Sequence, residues 1–156
     1  MGIFLDTSFL IPLLIKHLNT IIAQEILSEL EEPGVISPTV IDETIFVGCR
    51  LMAKSKGYPK QQQMKELIVT SGYSFAEKFL ERTQDLFIQL TIVPDTINIE
   101  RIFENTRKYH LLTGDAIIIS TCQEQRIEGI ATFDSDFSRV PSIRIIPDRG
   151  YRDRGI

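Results

Sequence analysis

The 156 residues include no tryptophan, only two cysteines and only two histidines. Cys49 and Cys122 lie far apart in apolar helical patterns, which argues against a disulfide framework or a cysteine-based zinc site and predicts two reduced, buried thiols. Neither His17 nor His110 falls in a motif with a nucleophile or an acid, so both are read as surface residues and no histidine general base is expected. The phosphate-cradling GxxxxGK pattern and the dinucleotide GxGxxG pattern are absent. Nine glycines and seven prolines, scattered, exclude collagen-like and low-complexity chains. No stretch reaches about 18 uninterrupted apolar residues, so no membrane span is expected. The apolar opening, Met1 to Leu18, is broken by Asp6 and has neither a cationic leader nor a small-residue cleavage site, so it does not read as a signal peptide. Asp6 also occupies the position where myristoylation requires Ser or Thr. These absences predict a reduced, cytoplasmic chain with no membrane partner.

What remains is the composition of one folded unit. Hydrophobic residues make up 43% and charged residues 24%, with 17 basic against 21 acidic side chains. A chain of this size buries roughly 68–70% of its unfolded surface and needs no covalent staples. Nothing in the pattern divides it, so residues 1–156 are expected to form a single domain. A loosely held tail over 147–156 carries Arg149, Arg152 and Arg154.

Hydrophobic spacing alternates between short runs and helical repeats. Ile3-Phe4-Leu5 reads as a strand ending in Asp6-Thr7-Ser8, and Phe9 to His17 is spaced as a helix. Asn19 or Thr20 caps a second helix to about Glu32, closed by Pro33-Gly34. Val35-Ile36 is a short strand, and Ser37-Pro38 opens a helix to about Lys56, stopped by Gly57. Pro59 to about Ile68 and Ser74 to Leu90 read as helices, and Ile92-Val93 as a strand. Asp95 or Thr96 caps a helix to Tyr109, and Thr113 caps one through Glu128. Gly129 to Asp134 and Ile143 to Ile146 complete the series as buried strands. Short, nearly all-apolar strands separated by helices specify an α/β/α arrangement, a parallel sheet covered on both faces.

In such sheets ligands collect beyond the carboxyl ends of the strands. Asp6 ends the first strand and Asp134 the fourth, with Asp136 two residues later. Asp115 lies in the first turn of a helix whose Ala116-Ile117-Ile118-Ile119 start is apolar all round and must be central. Glu43, between Val40 and Val47, projects from the apolar stripe of its helix or from the stripe's edge; a carboxylate there must be paired, protonated or bound to a cation. Each acid has an ordinary explanation: Asp115 as a helix-dipole partner, Asp6 and Asp134 as turn formers. Gathered at one edge, with no Lys, Arg or His in the same motifs, the four repel by about several kcal/mol unless a cation joins them. All-oxygen ligands select a hard ion, Mg²⁺ or Mn²⁺, and the matching chemistry is attack of metal-activated water on a phosphodiester.

Four segments in order, Phe4-Leu5-Asp6-Thr7-Ser8, Ser37-Pro38-Thr39-Val40-Ile41-Asp42-Glu43, Thr113-Gly114-Asp115-Ala116-Ile117-Ile118 and Gly129-Ile130-Ala131-Thr132-Phe133-Asp134-Ser135-Asp136-Phe137, carry a family resemblance over nearly the whole chain. The sequence resembles the PIN-domain ribonucleases and, among them, the VapC-like toxins of toxin–antitoxin pairs. The resemblance implies a five-stranded parallel sheet in order 3-2-1-4-5. It also implies Mg²⁺- or Mn²⁺-dependent cleavage of single-stranded RNA to 5′-phosphate and 3′-hydroxyl ends, homodimerisation and an antitoxin partner. It makes Asp6, Glu43, Asp115 and Asp134 the catalytic acids, with Asp6, Asp115 and Asp134 on the metal. Thr7 or Ser8 steadies the Asp6 loop, Thr132 steadies the region of Asp134, and Asp136 is a substitute or supporting acid. The stretch from about Lys60 to Leu90 is long for a compact member, and is read as helices that clip over the site or pack at a dimer interface.

A net charge of -4 runs against phosphate binding. Setting the four acids aside leaves 17 basic and 17 acidic residues, and the site turns phosphate-friendly only with metal bound. Weak intrinsic RNA affinity is therefore expected, with local help from Lys54, Lys56, Lys60, Lys65, Arg107, Lys108 and the arginine tail. The rival readings are a non-catalytic PIN-like module that binds RNA or protein, and an RNA-processing nuclease without an antitoxin. A receiver domain would need a second acid after the first strand and a lysine near the last. A haloacid-dehalogenase-type phosphatase would need Asp at the position of Ser8.

Overall fold

Ile3–Leu5 (β1) is apolar on both faces because it is the middle strand of a parallel sheet, with Phe4 and Leu5 fully buried. In the computed structural model, which describes residues 2–148, the sheet has five strands in the order β3-β2-β1-β4-β5, as expected. The others are Val35–Ile36 (β2), Thr91–Ile92 (β3), Gly129–Ala131 (β4) and Arg144–Ile146 (β5). All pairings are parallel, and Leu5 lies opposite Ala131. That register sets the ends of β1 and β4 side by side, and the Asp6 N–H donates to the Ala131 carbonyl at 3.0 Å. The arginines expected in the tail, Arg149, Arg152 and Arg154, lie outside the described residues.

Seven α-helices flank the sheet among the described residues: Thr7–Leu14 (α1), Thr20–Glu29 (α2), Pro38–Ser55 (α3), Gln61–Ser71 (α4), Glu77–Phe87 (α5), Ile99–Tyr109 (α6) and Thr113–Gln125 (α7). The first half of α7 is as central as its sequence requires, with Ala116, Ile118 and Ile119 buried. Both cysteines are free and buried, and burial pushes the Cys122 thiol up to about 12, so neither is a reactive thiolate at neutral pH. No helix among the described residues is long and apolar enough to cross a membrane.

Several boundaries differ from the sequence reading for identifiable reasons. α1 stops at Leu14 rather than His17, and the Thr20 hydroxyl donates to the Pro12 carbonyl at 2.7 Å, so residues 15–19 form a turn instead of a last helical turn. Asn98, not Asp95 or Thr96, caps α6 by accepting from the Arg101 N–H. Asp95 is engaged elsewhere, its Oδ2 accepting from both the N–H and the hydroxyl of Thr39 at 2.9 Å. Leu112 occupies the cap of α7, and Thr113 is its first residue. Ser37 precedes α3 as expected but makes no capping bond through its side chain.

The long 60–90 stretch forms a second, smaller core. Met64, Phe75, Ala76 and Phe79 pack against Leu14 of α1 and Cys49 and Ala53 of α3. Gly48 permits the closest approach: a Cβ there would stand 1.8 Å from Phe79 Cζ. Replacing Gly48 by Ala gains about 1 kcal/mol of helix propensity but forces Phe79 off α3, for a net loss of about 2 kcal/mol. Thermal denaturation should show this as a lowered melting point, and an unchanged or raised one would contradict the packing described.

Candidate active site

The β1–β4 register builds the site from its centre outward. Asp6 leaves β1 as the residue before α1, in extended conformation, and is almost fully buried. Its Oδ2 accepts from the Ser8 hydroxyl at 2.6 Å, the Ser8 N–H at 3.2 Å and the Thr132 hydroxyl at 2.9 Å. Ser8 Oγ also accepts from the Phe133 N–H, and Thr132 Oγ1 from the Asp134 N–H, so one hydroxyl pair ties the ends of both strands together. Burial raises the Asp6 pKa above the usual carboxylate range, while the bonds from Ser8, Thr132 and Thr7 oppose that rise.

β4 ends at Ala131, short of the strand expected through Asp134, so Asp134 stands two residues beyond Thr132, the first residue after the strand; its Oδ1 accepts from the Asp136 N–H at 2.8 Å, capping the short 3₁₀ helix Ser135–Arg139. Asp115 sits in the first turn of α7. Glu43 comes from α3, where Val40, Thr44 and Gly48 form the buried face. The residue lies at the edge of the apolar stripe and is exposed, not embedded in it. Its Oε2 accepts from the Thr7 hydroxyl at 3.1 Å. The Thr7 side chain therefore supports Glu43, while its main chain, Ser8 and Thr132 support Asp6.

Asp6, Glu43, Asp115 and Asp134 line one cleft of about 360 Å³ together with Thr7, Ser8, Phe133 and two residues of the α1–α2 turn, His17 and Asn19. No residue of 60–90 lines it, so that excursion does not clip over the acids. The electrostatics carry the mark of the crowding. Asp115 is pushed up to about 7, first by burial and then by the charges of Asp6, Asp134, Glu43 and Asp136. Partial desolvation of its carboxylate in the cleft, then the charge of Asp6, raises Glu43 despite the Thr7 bond, although the residue as a whole is exposed. Without a cation, Asp115 therefore holds its proton well above the usual carboxylate range.

The donor set is all oxygen, and carboxylate oxygens of Asp115, Asp134 and Asp136 lie within 4.8 Å of one another. That spread suits one hard divalent ion shared by several carboxylates. Asp136, read from the sequence only as a substitute or supporting acid, is in this group, and Asp6, expected on the metal, is not. Asp136 is also the one acid of the cluster held by a cation among the described residues, with Arg139 at 3.0 Å.

A family model described as the PIN domain matches residues 3–143. The chain belongs to the PIN domain family. Ribonuclease VapC6 of Methanocaldococcus jannaschii is 33% identical over 154 residues, spanning 94% of this chain and 97% of that protein. Ribonuclease VapC2 of the same organism is 31% identical over 148 residues, spanning 92% of each. Solved structures share the fold. VapC20 of Mycobacterium tuberculosis, described as a sarcin-ricin loop cleaving toxin, superposes with a TM-score of 0.62 at 18% identity, over 91% of this chain and 97% of that one. A toxin–antitoxin complex from Klebsiella pneumoniae gives 0.60 at 24% identity, over 91% and 95%. Within the PIN fold, the parallel order 3-2-1-4-5 brings β1 and β4 together at the sheet centre, where Asp6 and Asp134 emerge.

The sequence reading did not place His17 at the cleft. It had been read as an ordinary surface residue, and the residue is exposed, but it stands on the cleft wall. Apolar spacing that carries the first helix through to His17 hides this position, since the helix ends at Leu14.

Proposed function

We propose that this PIN-domain chain is an endoribonuclease that cuts single-stranded RNA with Mg²⁺ or Mn²⁺ in its acidic cleft, and that it is the toxin of a toxin–antitoxin pair. The observation that carries the reading is the convergence of Asp6, Glu43, Asp115 and Asp134 on one cleft from four separate segments. The names of its relatives, ribonucleases of the VapC group, support the activity. A cytoplasmic homodimer held in check by an antitoxin is the assembly this reading carries.

Asp6, Asp115 and Asp134 would hold the ion, with Glu43 acting directly or through water and Asp136 able to supply a further oxygen. A bound divalent ion supplies Lewis-acid activation of water and neutralises the charge of the phosphodiester. The chain's own part is to orient. Ser8 and Thr132 fix Asp6 by bonds to one oxygen, which leaves Oδ1 outside those three bonds. Thr7 holds the Glu43 carboxylate to the cleft wall.

Ser8→Ala removes the shortest of the Asp6 bonds and should weaken Mn²⁺ binding about 10- to 100-fold, measured by calorimetric titration. Equal affinity would show that the Ser8 hydroxyl does not orient the ligand. The activity itself is tested by incubating single-stranded RNA with the full chain in Mn²⁺ and in EDTA. Cleavage in the first alone is the expected result, and metal binding without any product would leave a binding module.

A further inference from the structure

The cleft has an imbalance of donors. Four carboxylates line it, and no lysine or arginine among the described residues does. A phosphodiester placed there presents anionic oxygens that need N–H or O–H donors as well as a cation. The lining hydroxyls are already committed, Thr7 Oγ1 donating to Glu43 and Ser8 Oγ to Asp6. The side chains left are those of His17 and Asn19, in the turn between α1 and α2.

Of these two, His17 is the one fixed by a set of bonds. Its main-chain N–H donates to Thr20 Oγ1 at 2.8 Å, and Thr20 Oγ1 in turn donates to the Pro12 carbonyl at 2.7 Å. The Asn19 main-chain N–H donates to His17 Nδ1 at 3.1 Å. An imidazole whose Nδ1 accepts carries its proton on Nε2, so the neutral ring is an Nε2–H donor. No hydrogen bond joins that Nε2 to any of the described residues. The asparagine side chain, by contrast, makes no capping bond at the start of α2.

Building on the ribonuclease reading, we propose that His17 is a substrate-binding residue whose Nε2–H donates to a non-bridging phosphate oxygen of single-stranded RNA in the cleft. The contact is assigned to a phosphate beside the scissile one, whose charge does not change in the reaction, so it binds the ground state and the transition state alike and enters KM rather than kcat.

The test compares the full wild-type chain with His17→Ala and His17→Gln on a labelled single-stranded RNA in Mn²⁺. Glutamine retains an N–H donor near the position of Nε2, and alanine has none. His17→Ala should raise KM about tenfold with kcat changed less than about twofold, and His17→Gln should recover most of the loss. An unchanged KM in His17→Ala, or a glutamine variant as impaired as alanine, overturns the assignment. If the wild-type chain leaves the RNA intact, the ribonuclease reading fails on its own account. The assignment is then read from equilibrium binding of the same RNA. Binding weakened about tenfold by His17→Ala and recovered by His17→Gln supports it. Equal affinities, or no binding by any of the three, overturn it.

Discussion

Asp115→Asn is expected to lower RNA cleavage by at least about 10³-fold while making the metal-free protein more stable at pH 8. Both effects come from one charge. The Asp115 pKa is raised first by burial and then by the charges of Asp6, Asp134, Glu43 and Asp136. The amide keeps the shape and one oxygen but gives up the negative charge that attracts a divalent ion, so the ion is lost or displaced. Without metal, the same charge only repels its neighbours. Its removal should raise the melting point by about 2–6 °C. Cleavage rates and thermal melts of the same preparation check both halves. A stable variant that still cuts at the wild-type rate would remove Asp115 from the chemistry.

The metal-free chain should also lose stability as pH rises from about 4 to about 7, and regain it above pH 7 when Mn²⁺ is added. The sign follows from linkage. An acid whose pKa is higher in the folded state than in the unfolded chain keeps its proton in the native state across the interval between the two values. The native state then binds more protons than the unfolded state, so the free energy of unfolding falls with rising pH. For Asp115 the interval runs from the ordinary value of 3.8 to about 7. Asp6 and Glu43 shift the same way and add to the slope. A shift of this size in Asp115 is worth at most about 4 kcal/mol, and less once solvent screening is allowed for. Above pH 7 the ion takes the place of the proton and stabilises the native state by mass action. Melting points across pH 4–8, with and without Mn²⁺, check the prediction; a metal-free profile that rises with pH would contradict it.

The parts of the site legible in the sequence were those where the acid and its strand are contiguous. Ile3-Phe4-Leu5 followed by Asp6, and Gly129-Ile130-Ala131 followed by Thr132 and Asp134, announce both a buried strand and a carboxylate at its carboxyl end. The strand order came from the family resemblance, because nothing local in a two-residue strand such as Val35–Ile36 says which neighbour it pairs with. The misread features depend on long-range partners. Asp95 reads as a cap for α6, yet its carboxylate bonds Thr39, 56 residues away in sequence. Glu43 sits at the stripe's edge because the buried face of α3 is defined by what packs on it, including Phe79 against Gly48. His17 joined the site only because Thr20 draws the chain back to the Pro12 carbonyl, a turn that apolar spacing does not encode. The 60–90 excursion is explained by Met64, Phe75 and Phe79, which seal a second core against α3.

The most direct measurement is anomalous difference density from crystals of the full chain soaked in Mn²⁺. The account predicts a peak in the cleft at about 2.1 Å from carboxylate oxygens of Asp6, Asp115 and Asp134. A cleft with no peak, or a peak confined to the exposed side of Asp136, would contradict it.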